Sequence, residues 1–303
     1  MQQPAPVVLT GTSGFIGQHV KRRLLAEQLP SMVLTVDIRS LEKGAGVGLR
    51  ATALDGTEHV LSTLRDYTLV HLAWCPPVRD QVASHALQVN LLAALLATHA
   101  DSIGRVIALG SADEYGAVSG CLREEDAMNS KLSPYGWGKR AAQMLLETWC
   151  ELHKKPGLWL RPFLVYGEGQ HGNMAIPYAI RQALAREAAQ FSAGTQRRDF
   201  IHVDDVARAI CLAVDRPWTG FKIANLGTGK AIQLREVLEQ IARIFNAVDL
   251  FQYGVRPMRP GEPEEQRASV EQAAKLLGFT AEITLDTGLH SMHKKIHHQH
   301  DIT

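Results

Sequence analysis

Residues 7–17 limit the folds open to this chain more than any other stretch. Val7-Val8-Leu9-Thr10 is a short apolar run of strand type, and it passes directly into Gly11-Thr12-Ser13-Gly14-Phe15-Ile16-Gly17, after which apolar positions recur at helical spacing. Three glycines at a strand-to-helix turn serve three ends. Gly11 permits the tight turn, Gly14 lets the backbone approach a pyrophosphate with no side chain between, and Gly17 permits close packing of helix on sheet. The helix N-terminus then offers unpaired N–H groups to phosphate, which makes Ser13, Phe15 and Ile16 part of the expected cradle. The spacing is GxxGxxG rather than GxGxxG, and a glycine triplet alone equally describes an ordinary turn. Asp37 decides between the two: it ends the second apolar run 20 residues after Gly17, where a carboxylate accepts hydrogen bonds from adenosine ribose hydroxyls. A carboxylate there repels a 2′-phosphate, so NAD(H) is expected over NADP(H), although Arg39 offers a guanidinium that such a phosphate could pair with. A second glycine cluster, Gly44 to Gly48, has no strand before it and reads as a loop.

The alternation begun at residue 7 continues. Met32–Asp37, Leu69–Ala73, Val106–Leu109 and Gly157–Phe163 read as further buried strands, with helices expected at Phe15–Leu29, His85–Ala100 and Tyr135–His153. Strand and helix in turn indicate a Rossmann-type, doubly wound parallel sheet in an α/β protein. After Gly167 the alternation weakens. Ile176–Ala189 and Leu234–Phe245 read as separate helices around Asp199–Val214, a strand followed by a helix. The expected division is a dinucleotide-binding domain over 1–166, to which 199–226 returns, and a smaller mixed α/β substrate-binding cap over 167–198 and 227–303. The His-rich tail from His290 to His300 reads as a frayed, solvated terminus.

Composition excludes some roles. Lys+Arg 32 against Asp+Glu 31 gives a net charge of +1, which supplies no electrostatic argument for nucleic acid or membrane partners, and none is expected. The cysteines Cys75, Cys121, Cys150 and Cys211 lack metal-ligand spacing, no secretory signal precedes the first strand, and no apolar run is long enough to cross a bilayer. A cytoplasmic enzyme without a metal is expected.

Chemistry is carried by Tyr135-Gly136-Trp137-Gly138-Lys139, which puts a phenol and an ammonium on one helix face. A free tyrosine titrates near ~10, and a neighbouring cation favours its phenolate, making it a usable base near neutrality. Ser111 follows the strand Val106–Leu109 and is expected at its carboxyl end, where open α/β sheets place ligands. Each residue has a plain structural role open to it, Ser111 as a helix cap and Tyr135 as a packing aromatic. Together behind a dinucleotide turn they are the set that moves a proton while hydride is exchanged.

At these residues the chain resembles, over nearly its whole length, the extended short-chain dehydrogenases called the NAD-dependent epimerase/dehydratase family. The likeness rests on residues 11–17, His71-Leu72-Ala73, Gly110-Ser111-Ala112-Asp113-Glu114-Tyr115-Gly116, Ser133-Pro134-Tyr135-Gly136-Trp137-Gly138-Lys139 and Arg198-Asp199-Phe200-Ile201-His202-Val203-Asp204-Asp205, in family order. It implies a nucleotide-sugar substrate, a Ser111, Tyr135, Lys139 triad, an active-site role for Asn90, an adenine contact by Asp55 and cofactor contacts by Leu72 and Ala73. It also implies that Arg198 and Arg259 meet the substrate diphosphate, and that Trp74, Ala112 and Asp113 border the sugar. Three departures narrow the chemistry. Ala112 stands where the family's 4,6-dehydratases carry a general acid, Leu164 replaces an asparagine before Val165-Tyr166-Gly167, and Trp74 replaces a small residue.

The leading expectation is a 4-ketoreductase acting on a nucleotide-activated 4-keto-6-deoxyhexose with NADH. A nucleotide-sugar epimerase with retained NAD is the alternative, and a catalytically silent NAD-binding sensor is an alternative of another class. A homodimer is expected through helices His85–Ala100 and Tyr135–His153, because Leu87, Leu91, Ala94 and Leu95, extended by Leu92, Ala93 and Leu96, exceed what one sheet contact needs. Ala141, Ala142, Leu145, Leu146 and Trp149 repeat the pattern on the second helix.

Overall fold

The computed structural model describes residues 5–27, 33–36, 50–53, 58–75, 81–126 and 131–300. Among them eight strands join one sheet: β1 (Val7–Thr10), β2 (Val33–Val36), β3 (Arg50–Ala53), β4 (Glu58–Val60), β5 (Tyr67–His71), β6 (Ile103–Leu109), β7 (Gly157–Pro162) and β8 (Phe221–Leu226). Their order is β8-β7-β6-β5-β1-β2-β3-β4. The strands from β8 to β2 run parallel, while β3 and β4 extend the edge antiparallel. This is the expected Rossmann-type sheet, with the antiparallel edge added. The chain leaves β1 for β2 on one side and returns to β5 on the other, so a crevice opens at the carboxyl end of β1.

Successive side chains of a strand face opposite ways. Val7, Leu9, Leu158 and Leu160 therefore pack on one side against helices α1 (Phe15–Ala26) and α5 (Val203–Asp215), with α7 (Glu271–Leu277) closing that layer. Val8, Val106 and Trp159 face the other side and meet α2 (Val82–Thr98) and α3 (Pro134–His153) through Leu92, Leu95, Leu146 and Trp149. Burial on both faces explains why the central strands read as unbroken apolar runs rather than as alternating ones. A second core joins α4 (Ala175–Ala185), α6 (Leu234–Ile244) and α8 (Leu285–His300) around Tyr166, Phe191 and Phe251.

Several expectations are corrected. β5 ends at His71, so Leu72 and Ala73 lie just beyond it, and β6 begins three residues earlier than its apolar run, at Ile103. The tail is not frayed: α8 continues to His300, because Leu289 and Met292 are buried in the second core. Asp37, Arg39, Asp55 and the glycine cluster 44–48 lie outside the described residues. No helix among the described residues is long and apolar enough to cross a membrane.

Candidate active site

The glycine turn sits at the crevice. Gly11 has φ +76°, and a Cβ on it would come 2.5 Å from the Ala73 backbone nitrogen, so the turn presses on the end of β5. The same strand ends are tied by side chains. Thr10 Oγ1 lies 3.0 Å from His71 Nδ1 and accepts a 3.3 Å bond from the Ala73 N–H. Burial pulls the His71 imidazole down to about 3, and the nearby Lys139 cation adds to this, so the ring is neutral at physiological pH. Gly14 caps α1, no side chain caps that helix, and its first turn holds no acidic residue. Orphan N–H groups and the positive end of a helix dipole thus face the crevice, an arrangement that fits a dinucleotide pyrophosphate. Ser13 and Gly14 are exposed, Phe15 and Ile16 half-buried at this edge.

Across the crevice stands the expected triad. Ser111 follows β6 after Gly110 and caps a short 3-10 helix, Ala112–Tyr115, accepting a 3.1 Å bond from the Asp113 N–H. The capping role is real, and with its oxygen accepting, the hydroxyl proton is left to donate. α3 starts at Pro134 behind the cap Ser133, whose hydroxyl accepts from the Gly136 N–H at 3.0 Å. Glycines on either side of Trp137 let this helix end approach closely. A Cβ on Gly136 would strike the Asp113 carbonyl, and one on Gly138 would lie 2.7 Å from the His85 Cβ. Tyr135 is consequently wedged between the Ser111 segment and α2, with its ring edge-on to His85 at 5.6 Å.

Lys139 lies one turn further on, buried, with Nζ 5.9 Å from the centre of the Tyr135 ring. It donates a 2.7 Å bond to the Leu109 carbonyl at the end of β6. Burial draws its ammonium down to about 7, against the opposing pull of Glu114 and Cys75. Trp74 covers this cation, its ring centre 4.1 Å from Nζ, and stacks on His85 at 6.3 Å. The bulky residue expected beside the sugar is therefore also part of the wall around the lysine.

On the facing side, Arg198 pairs with Glu262 at 3.1 Å and donates to the Arg197 carbonyl at 2.7 Å. Burial lowers its pKa, opposed by Glu262 and Asp113. Arg259 is exposed on the loop that carries Glu262. Asn90 is likewise exposed, on α2. The structure thus gathers Ser111, Asp113, Tyr135, Lys139 and Trp74 at one strand edge, with Ala112 half-buried beside Ser111, while Arg259 and Asn90 face solvent.

Four further residues of the site have no role assigned from the sequence: Glu114 and His71, which lie inside the segments that carry the likeness, and Thr10 and His85. Glu114 had a local signal, the S-x-x-E capping pattern that begins at Ser111. His85 had none, because its contacts come from residues far along the chain.

The family model described as NAD dependent epimerase/dehydratase family matches residues 7–227. The GDP-6-deoxy-D-mannose reductase of Pseudomonas aeruginosa is 29% identical over 296 residues, covering 94% of each chain. The UDP-glucuronate 4-epimerase of Thermodesulfobacterium geofontis is 26% identical over 306 residues, covering 93% of each. Among solved structures, MoeE5 in complex with UDP-glucose and NAD superposes with a TM-score of 0.82 at 30% identity, over 97% of this chain and 99% of that one. With the glycine turn, the strand-edge serine and the tyrosine–lysine helix all in family order, the chain belongs to the NAD dependent epimerase/dehydratase family of enzymes.

Proposed function

We propose that the protein is a 4-ketoreductase of a nucleotide-linked 4-keto-6-deoxyhexose. The observation that carries this reading is the Ser111, Tyr135, Lys139 cluster with Ala112 directly after the serine: proton-transfer groups are present, while the side chain at the dehydratases' general-acid position has no proton to give. The full-length likeness to a GDP-6-deoxy-D-mannose reductase supports it. NAD(H), when bound, supplies the hydride exchange. The glycine turn with Ser13, Phe15 and Ile16 would hold its pyrophosphate, Leu72 and Ala73 would line it, and Lys139 would complete the cofactor's side of the site. Tyr135 delivers a proton to the carbonyl oxygen as that carbon is reduced, with Ser111 hydrogen-bonded to the same oxygen. Arg198 and Arg259 take the substrate diphosphate, whose charge and geometry suit guanidinium forks. In this reading residues 1–166 and 199–226 serve the cofactor, and 167–198 and 227–303 serve the substrate.

A second reading, carbon-4 epimerisation, is favoured by the likeness to a UDP-glucuronate 4-epimerase and to a structure holding NAD with UDP-glucose. Two measurements test the choice: cofactor carried through purification, and oxidation of NADH at 340 nm with 4-keto-6-deoxy nucleotide sugars. Stoichiometric NAD and product without net oxidation would replace the reductase by the epimerase. Tight NAD binding with no product from any nucleotide sugar would leave a binding protein.

We further propose a homodimer through α2 and α3. The residues expected to face a partner lie mostly inside this chain: Leu91, Leu92, Leu95, Leu96, Ala142, Leu146 and Trp149 are buried. Of the expected residues Leu87 on α2 is exposed, and the other large exposed apolar side chains on these helices are Val82 on α2 and Trp137, Met144 and Leu152 on α3. A partner of the same kind, pairing these two helices with their two-fold copies, would cover them.

A further inference from the structure

Glu114 is a carboxylate with no exposure, placed among three donors that make four hydrogen-bond contacts with it. Its Oε1 accepts from the Ser111 N–H at 2.8 Å and from Trp159 Nε1 at 2.9 Å, and its Oε2 accepts from Trp159 Nε1 at 3.2 Å and Arg161 Nε at 2.8 Å. Trp159 and Arg161 stand two apart on β7, so both point to the sheet face that α3 covers. The site is built tightly around this group. A Cβ on Gly110 would collide with both Glu114 Oε1 and Trp159 Nε1, so the residue before the serine must be glycine. Arg161 is also wholly buried, extends to the Tyr115 hydroxyl at 3.1 Å and the Glu124 carbonyl at 3.3 Å, and Tyr115 in turn donates to Asn225 at 2.8 Å.

We propose that Glu114 is a positioning residue that couples two members of the triad, fixing the Ser111 backbone through a hydrogen bond and keeping Lys139 cationic through its charge. The inference rests on the triad reading above. Arg161 pairs directly with Glu114, while Lys139 is bonded to the carbonyl of Leu109, the residue before Gly110, against which the Glu114 carboxylate packs. Both buried cations thus feel one buried anion, and Arg161 cannot give up its proton. Lys139 can, and its ammonium already titrates at about 7 with Glu114 as the largest influence holding it up. Among the other titratable groups around Lys139, His71 on β5 is neutral, Cys75 beyond β5 supports the cation less than Glu114 does, His85 on α2 reaches the site by stacking on Trp74, and Tyr135 on α3 sets its ring centre 5.9 Å from Nζ. Without the Glu114 charge, then, the lysine becomes neutral at a lower pH. A cap with no electrostatic role would behave otherwise, because a glutamine at 114 still offers an oxygen to the Ser111 N–H.

The test is the pH profile of turnover in Glu114→Gln and Glu114→Asp, with NADH affinity followed across the same pH range. The alkaline limb of kcat should move down by about one pH unit in Glu114→Gln, with KM for the nucleotide sugar within about threefold of the parent. Glu114→Asp keeps the charge, so its limb should stay near the parental pH even if kcat falls. Arg161→Gln removes the competing cation and should move the limb upward, which keeps the question open to measurement should Glu114→Gln not fold. An unmoved limb in Glu114→Gln, a change in KM alone, or loss of the folded state in both Glu114→Gln and Arg161→Gln would overturn the proposal. A parent that turns over no nucleotide sugar refutes the proposed function instead, and the pH dependence of NADH binding then reads Lys139 in the same variants, with the same shifts expected.

Discussion

The two sides of the crevice are held by different kinds of interaction. On the side proposed to take the cofactor, geometry is set by backbone turns, caps and close packing: a left-handed Gly11 pressed on Ala73, a helix start without a side-chain cap, a serine capping the turn it begins, and a buried lysine bonded to the Leu109 carbonyl one helical turn from Tyr135. On the side proposed to take the substrate, the central contact is an ion pair between Arg198 and Glu262, and the second expected arginine is exposed on the same loop as that glutamate. One side is preorganised. The other holds its arginine on an internal carboxylate that a diphosphate would have to share or displace, so changes there should act on binding more than on the chemical step.

The widest separation between the sides is expected at Tyr135. Tyr135→Phe removes the proton donor while leaving the ring to pack on His85, so turnover should fall by at least about a hundredfold with NADH affinity and thermal midpoint nearly unchanged. Turnover within twofold of the parent would take Tyr135 out of proton transfer and erase the contrast.

Arg198→Ala should produce the complementary pattern. If this partly buried guanidinium takes the substrate diphosphate as proposed, its loss should raise KM for the nucleotide sugar by about tenfold or more, with kcat within about threefold. An equal fall in kcat and kcat/KM would instead mean that this arginine acts only in the transition state. Glu262→Gln, which frees Arg198 from its resting partner, should move KM the other way or leave it unchanged.

Legibility in the sequence follows the same division. The parallel sheet could be read because each central strand is buried on both faces and so is written as a continuous apolar run, and the turn because its glycines adjoin the strand they end. The placing of Ser111, Tyr135 and Lys139 near one strand end could be read because Tyr135 and Lys139 are one turn apart and Ser111 follows a recognisable strand. What could not be read depends on distant partners. Glu114 carries no legible role beyond the capping pattern, because the groups that surround it, Trp159 and Arg161, come from β7, 45 and 47 residues on. The tail looked solvated because its histidines dominate it, while the few residues that bind it to the second core, Leu289 and Met292, are sparse. The excess apolar surface of α2 looked like an interface, yet most of it is spent on this chain's own sheet.

Cofactor choice offers a finer test of the preorganised side. Asp37 is expected to reject a 2′-phosphate, so NADH should bind more tightly than NADPH by about tenfold, and Asp37→Ala should narrow that gap. Direct titration of both dinucleotides measures it. Equal or tighter NADPH binding by the parent would shift the decision to Arg39.

The smallest effect on catalysis is expected far from the crevice. Leu152 is 76% exposed and Met144 56% exposed, and with Trp137 they follow one another at spacings of seven and eight along α3, which puts them on one stripe. A helix face of this kind on a monomer costs solubility and gains nothing, whereas across a two-fold axis it is self-complementary. Met144→Glu together with Leu152→Glu places two charges on the stripe without touching the buried residues behind it. The parent should sediment as twice 33.3 kDa at micromolar concentration and the double variant at the single-chain mass. Turnover per chain should stay within about twofold, because Ser111, Tyr135 and Lys139 all come from one protomer and Lys139 is fixed by that protomer's own Leu109 and Trp74. A parent that sediments as a single chain would remove the dimer. A dissociated variant that loses turnover would show that the partner steadies the start of α3, where Tyr135 sits only two residues from the exposed Trp137, and would join the interface to the preorganised side of the comparison.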